Sequence, residues 1–384
     1  MQGLIVSPYI SHSMSQITNL SPIATKPRYD VLDGLRGVAA LLVVCYHLFE
    51  CFDFSPFHFG YLAVDFFFIL SGFVIGYAYD NRWPAMSLGT FVRRRLIRLH
   101  PMVVFGAVLG AVVFLACGSE RWDHSTTAFD WVMVAMLLSM FLIPSLPGST
   151  TDVRGNTEIF SLNGPSWSLF FEYIGNVVYA VFLRRLSKCA LAVNTFLLGL
   201  VLIGVSIHFE TTALGWSFSD YGFWGGLIHM LFPYSLGLYM ARCFRPMRVR
   251  HSFLWGTVLL TAVAIMPSFG WTGIEGADLV FELLCIIVVF PFIVWMGASE
   301  QYLSPETHLA CRSLGNLSYP LYLCHYPFMY AFYRFIGFDG NLVPFSRFGE
   351  VWPYALMLLV GVIVLGFMAY KFYDEPIRRH LSKQ

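Results

Sequence analysis

The stretch Tyr29 to Glu50, YDVLDGLRGVAALLVVCYHLFE, opens with charged residues, runs into an apolar core and carries a histidine near its far end. Arg36 and His47 are eleven positions apart. At about 1.5 Å and 100° per residue, an α-helix places them roughly 16 Å apart along its axis and about 20° apart around it. Both side chains then share one face. A cation at one boundary of a bilayer, aligned with an imidazole deeper in the same helix, implies a polar groove rather than a lipid-facing surface.

The rest of the chain has the composition that such a helix needs. Of 384 residues, 57% are hydrophobic and 12% charged, with a mean hydropathy of +0.64; a soluble domain carries roughly 25% charged residues. The expected fold is all-α, a polytopic membrane helix bundle. A net charge of +1 without a basic or acidic block gives no reason to expect a nucleic-acid partner. The eight cysteines are scattered without a C-x-x-C pair and are expected to be small core residues, with no metal site. Residues 1–28 are expected to be a loose tail rather than a cleaved signal peptide, residues 29–376 one membrane unit, and residues 377–384 a second short tail.

Runs of about 20 mainly apolar residues begin near Arg36, Tyr61, Leu99, Ser166, Cys189, Gly225, Ser252, Asp278, Leu314 and Tyr354, giving ten expected spans. Trp131 to Ile143 is shorter and runs into Pro144, the profile of a re-entrant or interfacial helix. With ten crossings and a cytoplasmic amino terminus, only Arg121, Arg154, Arg334 and Arg347 of the 24 Lys and Arg residues fall outside. This agrees with the positive-inside rule and puts both termini in the cytoplasm.

Ionisable side chains within spans are costly, so they mark functional cavities by default. His47, Asp65 and Glu172 come from three spans and are expected at similar depth in the outer half of the bilayer. There Asp65 or Glu172 would orient His47 as a base. At the inner side, FVRRRLIRLHP (Phe91 to Pro101) supplies Arg94, Arg95 and Arg98 as a planar, permanently charged site for phosphates. Ser318, Tyr319, Tyr322 and His325 recur at helical spacing and are expected to line one wall of the groove. Each of these has a plainer reading as core packing, ion pairing or a topology signal. No zinc spacing, P-loop, nucleophile elbow or dinucleotide fingerprint occurs in the sequence.

Six motifs in register, Arg36-x10-His47, Phe66 to Val74 (FFFILSGFV), Arg94-Arg95-x-x-Arg98-x-x-Pro101, Trp167-Ser168-Leu169-x-x-Glu172, Leu317-Ser318-Tyr319-x-x-Tyr322-x-x-His325 and Tyr373-x-Glu375-Pro376, resemble the acyltransferase-3 family of integral membrane acyltransferases. Ala63 and Pro320 depart from the family pattern. The resemblance implies an O-acetyltransferase-like enzyme of the bacterial inner membrane. It would move an acyl group, most often acetyl, from cytoplasmic acyl-CoA to a hydroxyl of a cell-surface or lipid-linked carbohydrate. It also implies that His47 and Arg36 serve transfer, that Arg94, Arg95 and Arg98 hold the donor, and that Trp167, Ser168, Tyr319, Tyr322 and His325 contact substrate. Acyl-CoA is then a co-substrate, with no permanently bound cofactor. No hydrolase-like domain follows the last span, so transfer by the single chain is expected. His47 would act as base or as transient acyl carrier. A transporter or flippase of a lipid-linked sugar, and an acyltransferase acting on a small molecule, are the alternatives that the same residues leave open.

Overall fold

The computed structural model describes residues 28–219, 222–300 and 302–383, so the tail expected over residues 1–28 lies outside the described residues apart from Arg28. Among them there is no strand, and the helices follow one another as α1 (Asp30–Phe49), α2 (Ala63–Tyr79), α3 (Leu88–Ala116), α4 (Phe129–Met140), α5 (Ser166–Val181), α6 (Lys188–Phe209), α7 (Gly222–Cys243) and α8 (Ser252–Ala264). Then come α9 (Ala277–Leu284), which runs through a π-turn into α10 (Phe290–Ser299), α11 (Pro305–Ile336), and α12 (Phe348–Ala369), which runs through a second π-turn into α13 (Glu375–Leu381). Helices α3, α6 and α11 each begin at a serine (Ser87, Ser187, Ser304) whose Oγ accepts a hydrogen bond from the backbone N–H three residues on.

Among the described residues, seven helical stretches are both long and apolar enough to cross a bilayer. Of the other expected spans, α8 has only 13 residues, while α7 and α11 have 22 and 32 but carry polar side chains through their centres. The outward faces agree with an apolar surrounding. Val193, Phe196, Leu197 and Leu200 on α6, and Met357, Val360, Val364 and Phe367 on α12, are all exposed. A water-soluble chain would not leave such contiguous apolar stripes uncovered.

Helix directions follow from the contacts. Arg36 meets Ser318 and His47 meets Tyr333, so α1 and α11 run parallel. Leu99 meets Tyr319 and Gly106 faces Leu323, which makes α3 parallel to both. Asp65 meets His229 and Asp80 meets Arg242, so α2 and α7 run parallel to each other, and Ser71–Glu172 and Asp80–Tyr179 add α5. Tyr29 packs on Tyr77 while Tyr46 packs on Tyr61, so the second group opposes the first. Because α3 and α5 run oppositely, the 12-residue α4 between them makes no net crossing, as its length suggests.

Glycine allows the two parallel pairs to pack closely. A Cβ on Gly37 would stand 2.5 Å from the Leu314 carbonyl oxygen, and one on Gly315 would stand 2.7 Å from the Asp33 Cβ. On the other pair, a Cβ on Gly72 would collide with the Tyr234 carbonyl oxygen and one on Gly237 with the Ile69 oxygen. Such backbone-to-backbone approach is how helices associate where lipid removes the hydrophobic drive.

Pro327, inside α11, has no N–H to give the Leu323 carbonyl, and that oxygen instead accepts from Asn163 Nδ2 at 2.9 Å. Asn163 belongs to the segment leading into α5, so this segment is drawn down between α3 and α11. At the carboxyl end α13 continues to Leu381, whose carbonyl Arg93 reaches. Among the cysteines one expectation changes. Cys51, Cys285, Cys311 and Cys324 are buried, whereas Cys189 at the start of α6 is exposed.

Gly72→Ala is expected to destabilise the protein by about 1–3 kcal/mol through forced separation of α2 and α7. Gly361→Ala, on α12 with nothing within 4 Å of the added methyl, is the control and should leave the melting temperature unchanged or raised. Thermal unfolding in detergent compares the two; equal melting temperatures would discount the glycine contact.

Candidate active site

A cavity of about 750 Å³ opens at the end of the bundle where α1, α3 and α11 begin. Its walls carry eight cations (Arg28, Arg36, Arg95, Arg98, Arg312, Arg378, Arg379 and Lys383) against three carboxylates (Glu172, Asp374 and Glu375). Several are paired: Arg95 with Glu172 at 2.9 Å, Arg378 with Asp374 at 2.6 Å, Arg379 with Glu375 at 2.7 Å, and both Arg28 and Arg36 with Asp33. Arg98, Arg312 and Lys383 have no ion pair among the described residues, and Arg98 stands close to Arg36 and Arg95. Excess guanidinium at an open cavity favours a multiply charged anion.

Arg36 is held in place by α11. Its Nε donates to Ser318 Oγ at 2.9 Å and its Nη2 to the Gly315 carbonyl at 3.0 Å. Deeper in, the cavity becomes apolar and aromatic, with Phe67, Val64 and Tyr322 in its lining. Ser168 Oγ and Tyr322 Oη lie 2.8 Å apart there, and Tyr319 ties to the Leu99 carbonyl at 2.6 Å. Of the residues expected to contact substrate, Arg95, Arg98, Ser168, Tyr319 and Tyr322 thus line this space. Arg94 does not, being exposed one helical step (about 100°) away from Arg95. Trp167 is also absent from the lining and stacks instead on His229 at 5.7 Å.

His47 lies past the deep end and does not line the cavity. From Phe67 the rings pass to Tyr322 (5.7 Å), then His325 (5.9 Å), then His47 (5.4 Å, stacked). The expected continuous groove is therefore closed by a wall in which Tyr322 and His325 stand between cavity and imidazole. Beyond the wall, His47 is partly exposed.

The carboxylate beside His47 is neither of those expected. Asp65 is buried in a 2.8 Å pair with His229 Nε2, whose Nδ1 faces the Leu214 carbonyl at 2.6 Å. Both ring nitrogens thus meet acceptors, and the pair is closed to other partners. Glu172 is occupied by Arg95 and by Ser71 Oγ (2.9 Å), at the level of the basic cavity. Its displacement has a clear cause. The segment before α5 is already sunk to the level of Leu323, so α5 starts low and Glu172 lies lower still. The carboxylate that does reach His47 is Glu50, with Oε1 3.0 Å from Nδ1. Glu50 Oε1 also accepts from Tyr333 Oη at 2.7 Å, and the same hydroxyl donates to the His47 carbonyl. The signal was present in the opening stretch: His47 and Glu50 are three residues apart, neighbours on a helical turn. A carboxylate at Nδ1 fixes the proton on that nitrogen and leaves Nε2 with its lone pair, the form a general base requires.

A profile of an acyltransferase domain matches residues 29–371, all but the two ends of the chain. The chain belongs to the acyltransferase-3 family. It is 24% identical over 381 residues to the acyltransferase MdmB of Streptomyces mycarofaciens, with 93% of each chain covered. It is 39% identical over 395 residues to the peptidoglycan O-acetyltransferase OatA of Listeria monocytogenes, covering 91% of this chain but 56% of that protein's length. A 159-residue match at 37% identity, covering 40% of this chain and 81% of the other, relates it to protein 2 in the picA locus of Rhizobium radiobacter. No solved structure matches the chain. The protein is thus a multi-pass membrane acyltransferase, and its relatives support an enzyme of the O-acetyltransferase kind.

Around His47 this acyltransferase holds two further groups that the sequence alone did not single out as site residues. Tyr326 stacks edge-on to His47 at 4.5 Å and donates to Glu158 Oε1 at 3.2 Å; Tyr330 also donates to Glu158. Glu158 lies in the loop between α4 and α5. Removal from water raises its carboxyl from about 4.5 to about 7, against the lowering effect of those hydroxyls and of Arg154. Between those values the folded chain holds a proton that the unfolded chain releases, so stability falls as pH rises from about 4.5 to about 7. Glu158→Gln should remove that loss, and its melting temperature should therefore gain on wild type between about pH 5 and about pH 8. Parallel melting curves across that range would contradict the assignment.

Proposed function

We propose that the protein transfers an acyl group, most simply acetyl, from cytoplasmic acyl-CoA to a hydroxyl of a carbohydrate on the far side of a bacterial inner membrane. The observation that carries this reading is the polarity of the site. An over-cationic vestibule with an unpaired Arg98 narrows to an aromatic end, and one ring layer further lies a histidine tied to a carboxylate. Phosphates of the donor suit the first part, a thin pantetheine arm the second and a hydroxyl nucleophile the third. Alternating helix directions support ten crossings with both termini at the basic, cytoplasmic end, with the short α8 as one of the ten.

In the mechanism, Arg98, Arg312 and Arg36 neutralise the donor's phosphates while the arm extends toward Phe67 and Tyr322. His47 Nε2 then takes the proton of the acceptor hydroxyl as its oxygen attacks the thioester carbonyl. The carbon–sulfur bond breaks, the new ester leaves on the outer side, and the thiolate takes up the proton that His47 carries, which restores the neutral imidazole. Glu50 stabilises the imidazolium formed in passing. The acyl-carrier role for His47 would use the same geometry. For thioester and imidazole to meet, Tyr322 and His325 must give way. Pro320 and Pro327 bracket them in α11 and interrupt the helix ladder on both sides, which makes this the segment that can yield. A carrier of lipid-linked sugar needs neither the donor vestibule nor the Glu50–His47 pair.

In liposomes, His47→Ala should lower acetyl-CoA-dependent turnover by roughly 10²–10⁴. Arg98→Ala should instead raise KM for acetyl-CoA by roughly tenfold or more, with kcat little changed. A folded His47→Ala protein working at the wild-type rate would sink the mechanism.

A further inference from the structure

On the opposite end of the bundle from the vestibule is a second, smaller pocket of about 200 Å³ between the ends of α3 and α11 and the loops beyond them. Arg154 forms part of its wall, 7% exposed. The guanidinium lies 3.7 Å over the Tyr330 ring and 4.5 Å over Phe114, and both rings line the same pocket. Its Nε is committed to the Ser161 carbonyl at 2.7 Å, yet its Nη2 is buried with no hydrogen-bond partner. No carboxylate forms an ion pair with it among the described residues, and Glu158 behind it is engaged by Tyr326 and Tyr330. A buried guanidinium N–H without an acceptor is expensive to keep, and a ligand that supplies the acceptor recovers that cost.

One side chain connects this pocket to the catalytic pair, which does not itself line it. Tyr333 lines it, and the Tyr333 hydroxyl bonds both the His47 carbonyl and the Glu50 carboxylate. Trp122 lines another side, partly exposed, offering an indole to an apolar ring face. The volume lies below the roughly 300–1,000 Å³ of a site for a drug-sized ligand, which suits one sugar ring with the rest of its chain outside. The other charges of the pocket narrow the choice: Arg334 is already paired with Glu120 and Arg121 with Asp123, so Arg154 is the lining guanidinium left without an ion pair among the described residues. One carboxylate matches it; a phosphate dianion would bring a second negative charge beside Glu120 and Asp339.

We propose that this pocket is the acceptor subsite and that it selects a carbohydrate bearing a carboxylate, which Arg154 Nη2 binds while Trp122 covers the ring face and a hydroxyl points past Tyr333 to His47. The inference rests on the acyltransfer reading above for the identity of the acceptor, but binding at the pocket can be measured without it.

Ligand-observed NMR of the full-length protein in nanodiscs, without donor, compares methyl glucuronide with methyl glucoside, which differ only at carbon 6. Wild type should bind the glucuronide at least about fivefold more tightly, a modest return for one charge-assisted contact. Arg154→Gln should abolish that preference, and Trp122→Ala, on the exposed loop, should weaken both sugars. Equal binding of the two sugars by wild type, or a preference that survives in folded Arg154→Gln, overturns the proposal. If Arg154→Gln does not fold, wild-type discrimination together with the Trp122→Ala loss decides. Acetyl-CoA consumption is followed separately: consumption without sugar discrimination removes this inference alone, and discrimination without consumption removes the acyltransfer reading while the site stands.

Discussion

The parallel contact between α1 and α11 is the constraint on which the rest of the molecule depends. Gly37 and Gly315 bring the two backbones close enough for Arg36 to reach the Gly315 carbonyl and Ser318, and the same register carries His47 to His325, Tyr326 and Tyr333. One register thus positions a cation at one end and an imidazole at the other. Side chains larger than glycine at these crossings would push the helices apart and uncouple the two ends.

What was legible in the sequence was what a single helix dictates. The shared face of Arg36 and His47 is helix arithmetic, and the cluster Arg95 and Arg98 is three residues of the same arithmetic. The short α4 and the all-helical architecture followed from length and apolarity. What was not legible depends on how helices turn and sink relative to one another. Asp65 faces His229 because α2 and α7 pack as a parallel pair, a fact that neither segment announces. Glu172 sits at the arginine level because Asn163 draws the start of α5 inward to serve a carbonyl freed by Pro327. Arg154 belongs to a loop, where no periodicity indicates which side chains turn inward. Glu50 is a different case: it lies one helical turn from His47, so its spacing alone allows the contact, whereas Asp65 and Glu172 depend on packing across helices.

Function in this architecture comes from separating charge types along a single axis. The vestibule is cationic, the wall of Tyr322 and His325 is neutral and aromatic, and the far side holds Glu50 and Glu158 around His47. Membership in the acyltransferase family gives that gradient its chemistry, and under the donor assignment proposed above the wall would keep a reactive thioester and an outer aqueous phase from meeting in the resting state. The two prolines of α11 lie on either side of that wall and interrupt the helix ladder there, in the segment that the proposed reaction requires to yield.

The surplus of cations in the vestibule also has a bearing on turnover. Under the donor assignment made above, the phosphates that draw acyl-CoA inward are still present on free coenzyme A once the acyl group has gone, so the vestibule grips the spent carrier nearly as well as the loaded one. Product inhibition then becomes an intrinsic property of the site, and escape of the empty carrier competes with chemistry as the slow step. Ionic strength would set the pace of such an enzyme by loosening that grip.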